Sequence, residues 1–226
     1  MKRSEINRAI SETEKLFKKH SIFLPPFAHW GPEVWGKAET THRRIALNGL
    51  GWDISDFGSE DFDRIGAVIF TLRNGNYANP KEGTPYAEKL IVLKPGQQIP
   101  LHLHREKTED IINRGGGVFM VELFNAAKND TVEKESAVRV YCDGIERTVK
   151  AGGIIQLMPG ESITLIPRVF HRFWAKESEG ALICGEVSSV NDDRTDNFFA
   201  EKTKRFADIE EDQKPLHLLC NEYSPR

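Results

Sequence analysis

The stretch IPLHLHREKTEDIINRGGG, residues 99–117, decides how this 226-residue chain reads. His102 and His104 stand two apart in an apolar extended run. Glu109 follows after a short charged segment, and Gly115, Gly116 and Gly117 close the unit. Side chains at i and i+2 of a strand leave the same face, with Cα atoms roughly 6.5–7 Å apart. Two imidazoles placed in this way converge on one ion, and a carboxylate from the next strand supplies a third ligand. Two neutral nitrogens and one hard oxygen suit Mn, Fe, Co, Ni or Zn and leave coordination positions open for a substrate. Ile99, Leu101, Leu103, Ile111 and Ile112 around them predict a rigid strand frame. His171, in the run VFHRFW from Val169, is the natural fourth ligand. It shares strand parity with Phe173, so its face points into an apolar interior.

Working outward, short β-like runs dominate the chain. Arg64–Leu72 and Ala87–Leu93 are rich in β-branched residues and bounded by turn formers. Further strands are expected at Val118–Leu123, Ser136–Cys142, Ile145–Val149, Ile154–Met158, Ser162–Ile166, Val169–Ala175 and Ala181–Val187. Asp143-Gly144 marks a two-residue hairpin, and Pro95-Gly96 and Pro159-Gly160 mark turns. Many short strands at regular spacing predict an all-β antiparallel sandwich or barrel. Outside it, residues 4–20 read as a helix: Ile6, Ala9, Ile10, Thr13, Leu16 and Phe17 recur at helical spacing, with Ser4 as N-cap. Phe27, Trp30, Val34 and Trp35 form an irregular aromatic arm that packs on the body or on a second subunit. Asn197–Phe206 reads as a helical segment, and the last dozen residues carry no signal.

Composition narrows the function class. Hydrophobic content of 39% and charged content of 29% are those of a soluble globular protein. A formal net charge of -3 gives no basic field for nucleic acid, and no helix-turn-helix pattern accompanies the strands. No run approaches the ~20 apolar residues that span a membrane. Cys142, Cys184 and Cys220 are odd in number and lack CxxC spacing, which points to a reducing, cytoplasmic setting. The start lacks the apolar centre of a signal peptide. His20, His29, His42 and His217 lie in arms or termini and read as structural or exposed.

Residues near the ligands bear on chemistry. Lys107 stands two before Glu109, so alternation aims both inward, where an ammonium polarises a substrate oxygen or relays a proton. Glu88 and Lys89 open an otherwise apolar strand; alternation leaves open which one faces inward, because both faces carry apolar residues. Glu186 ends the last strong strand beside Gly185, at a barrel mouth. Asp192, Asp193, Asp196 and Asn197 read as an acidic, solvated turn.

Gly96, five intervening residues, His102-Leu-His104, four residues, Glu109, six residues and Gly116 resemble the first cupin motif throughout. The second motif is looser: Gly153, Pro159-Gly160 and Pro167 precede His171, Val169 replaces its internal glycine, and Ala175 its terminal asparagine. The resemblance implies a cupin double-stranded β-helix, a small jelly-roll barrel with an N-terminal helix and a C-terminal helical segment. It implies that His102, His104, Glu109 and His171 bind a divalent metal. Residues 1–59 are then helix and arm, 60–190 the barrel, and 191–226 a C-terminal extension.

Tyr86-Ala-Glu-Lys89, the block HLHREKTEDIINRGGG and Gly185-Glu-Val-Ser-Ser-Val-Asn-Asp-Asp193 together resemble the D-lyxose isomerase family over roughly residues 60–200. That likeness implies a metal-dependent aldose–ketose isomerase acting through a cis-enediol. It implies interconversion of D-lyxose and D-xylulose, with D-mannose and D-fructose as a second pair. Mn2+ is the usual metal, with Co2+, Fe2+, Ni2+ or Zn2+ as alternatives, and the assembly is a homodimer. Lys107, Glu109, Glu186 and Lys89 are the catalytic candidates, and a monosaccharide is the partner. The rival readings are an iron-dependent cupin dioxygenase, which needs O2, and a sugar-binding cupin without activity.

Overall fold

A computed structural model describes residues 1–35, 42–190 and 193–223, with Asp193 and Arg194 described in their backbone only. The chain opens with helix α1 (Arg3–Lys19), a 3-10 turn (Pro26–His29) and short helices α2 (Pro32–Trp35) and α3 (Arg43–Leu47). Strands β1 (Gly51–Ser55), β2 (Ala67–Gly75), β3 (Gly83–Leu93), β4 (Gln98–His104), β5 (Glu109–Gly116) and β6 (Phe119–Ala126) follow. Next come β7 (Val132–Glu133), β8 (Val138–Cys142), β9 (Ile145–Val149), β10 (Gly153–Leu157), β11 (Ser162–Leu165), β12 (Val169–Ala175) and β13 (Leu182–Ser189). Helix α4 (Asp193–Asp196) and β14 (Asn197–Phe199) complete the order.

One sheet runs β1-β2-β3-β13-β5-β11-β8-β9; the other runs β10-β6-β12-β4-β14, with β7 paired to β6. Named strands pair antiparallel. The inner faces enclose Phe119, Val121, Leu123, Leu157, Leu165 and Phe173, giving the expected cupin double-stranded β-helix. The β8–β9 connection is the two-residue hairpin that Asp143-Gly144 announces, with both residues at positive φ (52° and 79°). Gly116 has φ +83°, and a Cβ there would collide with the Ala181 carbonyl, so only glycine closes the β5 end of the motif.

The β2-β3-β13 part of the first sheet is buried on both faces. Ile69, Ile91, Leu93, Leu182 and Cys184 face the barrel interior. Val68, Phe70, Leu90, Val92 and Ile183 face outward, under Ile6, Ile10 and Phe17 of α1. This double burial is why the β3 sequence shows apolar residues at both parities. Each such large side chain contributes about 1.5–3 kcal/mol by leaving water.

Two local expectations are corrected. Lys2, not Ser4, is the N-cap of α1: its N–H donates to Glu5 Oε2 at 2.8 Å, while the Ser4 hydroxyl donates to Asp212 Oδ2 at 2.6 Å. Asn197–Phe206 does not form a helix. The helical turn α4 stops at Asp196, and Asn197–Phe199 pairs with β4 because its aromatic rings find cover against that strand. The C-terminal stretch, whose last dozen residues carry no sequence signal, fastens α1. Arg3, buried, holds Glu211 (Nη2–Oε1, 2.6 Å) and Glu222 (Nη1–Oε2, 3.2 Å). The aromatic arm packs on the body: Phe27 stacks on Phe70 at 5.6 Å, and Trp52 Nε1–H donates to the Ala28 carbonyl at 2.8 Å. Gly36, in that arm, and Asp192, in the acidic turn, lie outside the described residues.

Candidate active site

Strand register brings the candidate residues together. His171 on β12 is the cross-strand partner of His102 on β4, so three imidazoles share one patch of interior with His104. Their ring centroids are 4.1 Å (His102–His171), 5.2 Å (His102–His104) and 5.4 Å (His104–His171) apart. Glu109, first residue of β5, reaches across from the other sheet: its Oε1 lies 3.4 Å from His104 Nε2 and 3.2 Å from His171 Nε2.

Tautomers follow from the partners. His102 Nδ1 lies 2.8 Å from the Pro100 carbonyl and His171 Nδ1 3.0 Å from the Val169 carbonyl. A carbonyl only accepts, so both Nδ1 atoms carry the proton and each Nε2 presents a lone pair to the interior. His171 Nε2 is buried and has no hydrogen-bond partner. Ligands at about 2.0–2.1 Å from one ion, at tetrahedral or octahedral angles, stand about 2.8–3.4 Å apart. The Glu109 contacts match that spacing, and one potential ligand atom from each histidine lies within 4.8 Å of the others. These residues fit a divalent metal.

Electrostatics agree with the geometry. Burial pushes the His102 imidazole well below its ordinary pKa, and the other two imidazoles add to this. Burial and Lys107 also work against a proton on His104, but the Glu109 and Asp196 carboxylates outweigh them and raise its pKa. Burial opposes ionisation of Glu109, yet Lys107 and His104 hold its pKa well below the usual carboxylate range.

The lysines and the second carboxylate lie beside this cluster. Cross-strand pairing sets Lys89 of β3 against Glu186 of β13, which settles the parity question: Lys89 faces inward, and Glu88 turns outward to pair with Arg73. Glu186 is buried within β13, not placed at its end. Lys107 precedes β5 in an irregular turn, yet only 3% of it is exposed. Its Nζ lies 2.7 Å from Glu109 Oε2 and 3.1 Å from Glu186 Oε1. Lys89 Nζ and the Ser188 hydroxyl also contact Glu186 Oε1, at 3.2 and 3.0 Å. A continuous path of charge therefore runs from Lys89 through Glu186 and Lys107 to Glu109.

Lys89, Lys107, Glu109 and Glu186 line one narrow cleft with His102 and His104, together with Phe57, Asn197, Phe199 and Arg205. Sequence reasoning missed Phe57, Phe199 and Arg205 and placed Asn197 in a solvated turn. They come from segments outside the motif and carry no periodic signal of their own. Asp196 was misread as a solvated turn. It is buried, accepts the N–H groups of Arg105 (3.1 Å) and Glu106 (2.8 Å), and sets Oδ2 3.5 Å from His104 Nδ1. Its place two residues before the aromatic pair Phe198-Phe199 was the available signal.

Known proteins give the same direction. Residues 1–223 match the family model for D-lyxose isomerase. The chain is 45% identical over 224 residues to the D-lyxose/D-mannose isomerase of Serratia proteamaculans, covering 99% of this chain and 98% of that one. It is 42% identical over 224 residues to the D-lyxose/D-mannose isomerase of Escherichia coli O157:H7, with the same coverage. Among solved structures, L-ribose isomerase of Cellulomonas parahominis bound to L-psicose superposes with a TM-score of 0.60 at 17% identity, over 93% of this chain and 98% of that one. That likeness supports the fold. With whole-chain matches in both family model and relatives, the chain belongs to the D-lyxose isomerase family of sugar isomerases.

Proposed function

We propose that this protein interconverts D-lyxose and D-xylulose, and D-mannose and D-fructose, with a divalent metal held by His102, His104, Glu109 and His171. The observation that carries the reading is the juxtaposition of three buried imidazoles with the Lys107–Glu109–Glu186 charge path. The sugar assignment rests on the relatives named D-lyxose/D-mannose isomerase.

Moving a carbonyl between C1 and C2 needs a proton removed from the carbon beside it and the resulting negative charge stabilised, with a cis-enediol between. When bound, the divalent ion supplies Lewis acidity toward the sugar's oxygens. Mn2+ is the expected ion, with Co2+, Fe2+, Ni2+ or Zn2+ as substitutes, since the donor set of three nitrogens and one oxygen accepts them all. Glu109, held ionised by Lys107 and set beside His104 and His171, is a good anionic ligand and serves the metal rather than the proton transfer. Glu186 is therefore assigned as the base that shuttles the proton between the two carbons. Lys107 stabilises or protonates the oxygen that gains charge, and Lys89 holds Glu186 in place at 3.2 Å. Asn197 Oδ1, buried without a protein partner, accepts a sugar hydroxyl.

The remaining assignments belong to the same proposal. Residues 1–59 form the arm, 60–190 the barrel and 191–226 the extension, although β1 of the arm already pairs with β2. A homodimer is supported by the exposed apolar Ile145 and Ile154 on the edge strands β9 and β10; light scattering tests it, and a monomer mass contradicts it. Free Cys142, Cys184 and Cys220 support a cytoplasmic setting. The test of activity is NMR of D-lyxose, D-mannose and D-xylose with protein in deuterated water. Ketose formation with deuterium incorporated next to the carbonyl is expected for D-lyxose and D-mannose; no ketose from either sugar overturns the proposal.

A further inference from the structure

Among the described residues, a second group of metal-ligating side chains lies outside the barrel: Glu14 of α1, His29 of the 3-10 turn and His217 of the C-terminal stretch. They are 15 and 188 residues apart in chain order and meet only because α1, the turn and the tail pack on the same outer face of the first sheet. His29 Nδ1 lies 2.9 Å from Glu14 Oε1, and His217 Nε2 lies 3.7 Å from the same oxygen. One potential ligand atom from each of the three lies within 4.8 Å of the others. Two nitrogens and an oxygen around a tetrahedral ion at about 2.0–2.1 Å stand about 3.3 Å apart, a value these two distances bracket.

The setting of His217 is the second observation. It is buried, and its Nδ1 lies 3.0 Å from the Trp30 carbonyl. That acceptor fixes the proton on Nδ1 and turns the Nε2 lone pair toward Glu14, the arrangement that orients metal-bound histidines. Trp52 lies parallel to the His217 ring, 6.4 Å away with 9° between the planes, and holds the turn through the Ala28 carbonyl. The donor atoms are thus supported by packing, while His29, with 55% of its side chain exposed, leaves the site open to water on one side.

We propose that Glu14, His29 and His217 form a second divalent-metal site, of the two-histidine, one-carboxylate kind that suits Zn2+, with water completing the coordination. Bound there, the ion ties α1, the turn and the C-terminal stretch together on the outside of the barrel. Metal bound to the folded arrangement alone adds directly to its stability. This site is separate from the barrel cluster and independent of the sugar chemistry.

The test uses the full-length protein, stripped with chelator, loaded with Zn2+, desalted and analysed for zinc by elemental mass spectrometry. His29→Ala and Glu14→Gln are each expected to retain one zinc per chain fewer than wild type. His20→Ala, which removes a histidine outside the cluster, keeps the wild-type count. Both variants keep sugar turnover, and their melting temperatures rise less with added Zn2+ than that of wild type. Because the readout is a difference between variant and wild type, it holds whether or not the barrel site is loaded. Equal zinc content in wild type, His29→Ala and Glu14→Gln overturns the proposal and leaves the cluster as an ion pair. His29 is exposed enough that its substitution does not threaten folding.

Discussion

Replacing Lys107 with methionine keeps the length of the side chain and removes only its charge and donors. In the folded protein the ammonium stands 2.7 Å from Glu109 Oε2 and 3.1 Å from Glu186 Oε1. At an effective dielectric of about 20, these contacts are worth about 6 and 5 kcal/mol before the cost of desolvation. Losing one partner of such a buried pair costs a net of about 3–5 kcal/mol. Lys89 remains beside Glu186, so the lower end of that range is expected. The Glu109 pKa rises in the variant, because Lys107 is the strongest influence lowering it. The three imidazoles and Glu109 are still present, so the metal stays. Turnover is what suffers: removing a positioned proton donor or charge stabiliser costs about 10²–10⁴-fold. The assay pairs ketose formation by NMR with metal content and circular dichroism on the same sample, at a temperature where the variant is folded. Retained metal with kcat lowered at least a hundredfold is expected. A folded, metal-loaded Lys107→Met enzyme with near wild-type turnover removes Lys107 from the chemistry.

Three further predictions rest on separate contacts. Asp196→Asn weakens metal affinity about 10–100-fold by loosening the orientation of His104, read by competition with a chromophoric chelator; unchanged affinity refutes the role. His104 holds a proton to higher pH than a free imidazole, whereas His102 and Glu109 are already deprotonated at neutral pH. Metal affinity therefore falls as pH drops through the raised His104 value and levels off above it. In the metal-free protein that same proton stabilises the fold at low pH, a contribution lost as pH rises through the raised value. Calorimetry in buffers of different ionisation enthalpy should find about one proton released per barrel metal when His104 starts protonated; none released contradicts the assignment. Arg3→Met cuts the anchor between α1 and the tail. Glu211 is more than half exposed and recovers water, so the cost is about 2–3 kcal/mol, seen as a melting point lowered by roughly 4–12 °C.

Much of this was legible because strand geometry is short-range. The i, i+2 spacing of His102 and His104 and the offset to Glu109 survive any detail of barrel curvature, and the β9 and β12 boundaries match their sequence signals to the residue. Lys107 was located for a partly mistaken reason. It faces inward from a turn, not by strand alternation, and two carboxylates hold it there. Lys89 could not be told from Glu88 because α1 buries the outer face of β3, a tertiary fact with no local trace. Asp196 illustrates the opposite failure. An acidic run usually marks solvent, and here one of its members is buried through bonds to the Arg105 and Glu106 backbone some 90 positions earlier. The grip of Glu211 and Glu222 on Arg3 is long-range in the same way.

The central claim is that sugar isomerisation depends on the metal held by His102, His104, Glu109 and His171. It is tested most directly by stripping the protein with chelator, restoring Mn2+ stepwise without oxygen, and measuring barrel metal and ketose formation on each sample. The His29→Ala variant serves as the material, so that the barrel is the site being filled. Turnover should start near zero and rise in proportion to bound Mn2+ up to one ion per chain. Stripped protein that retains full turnover, or protein loaded with one ion per chain that forms no ketose from D-lyxose or D-mannose, contradicts it.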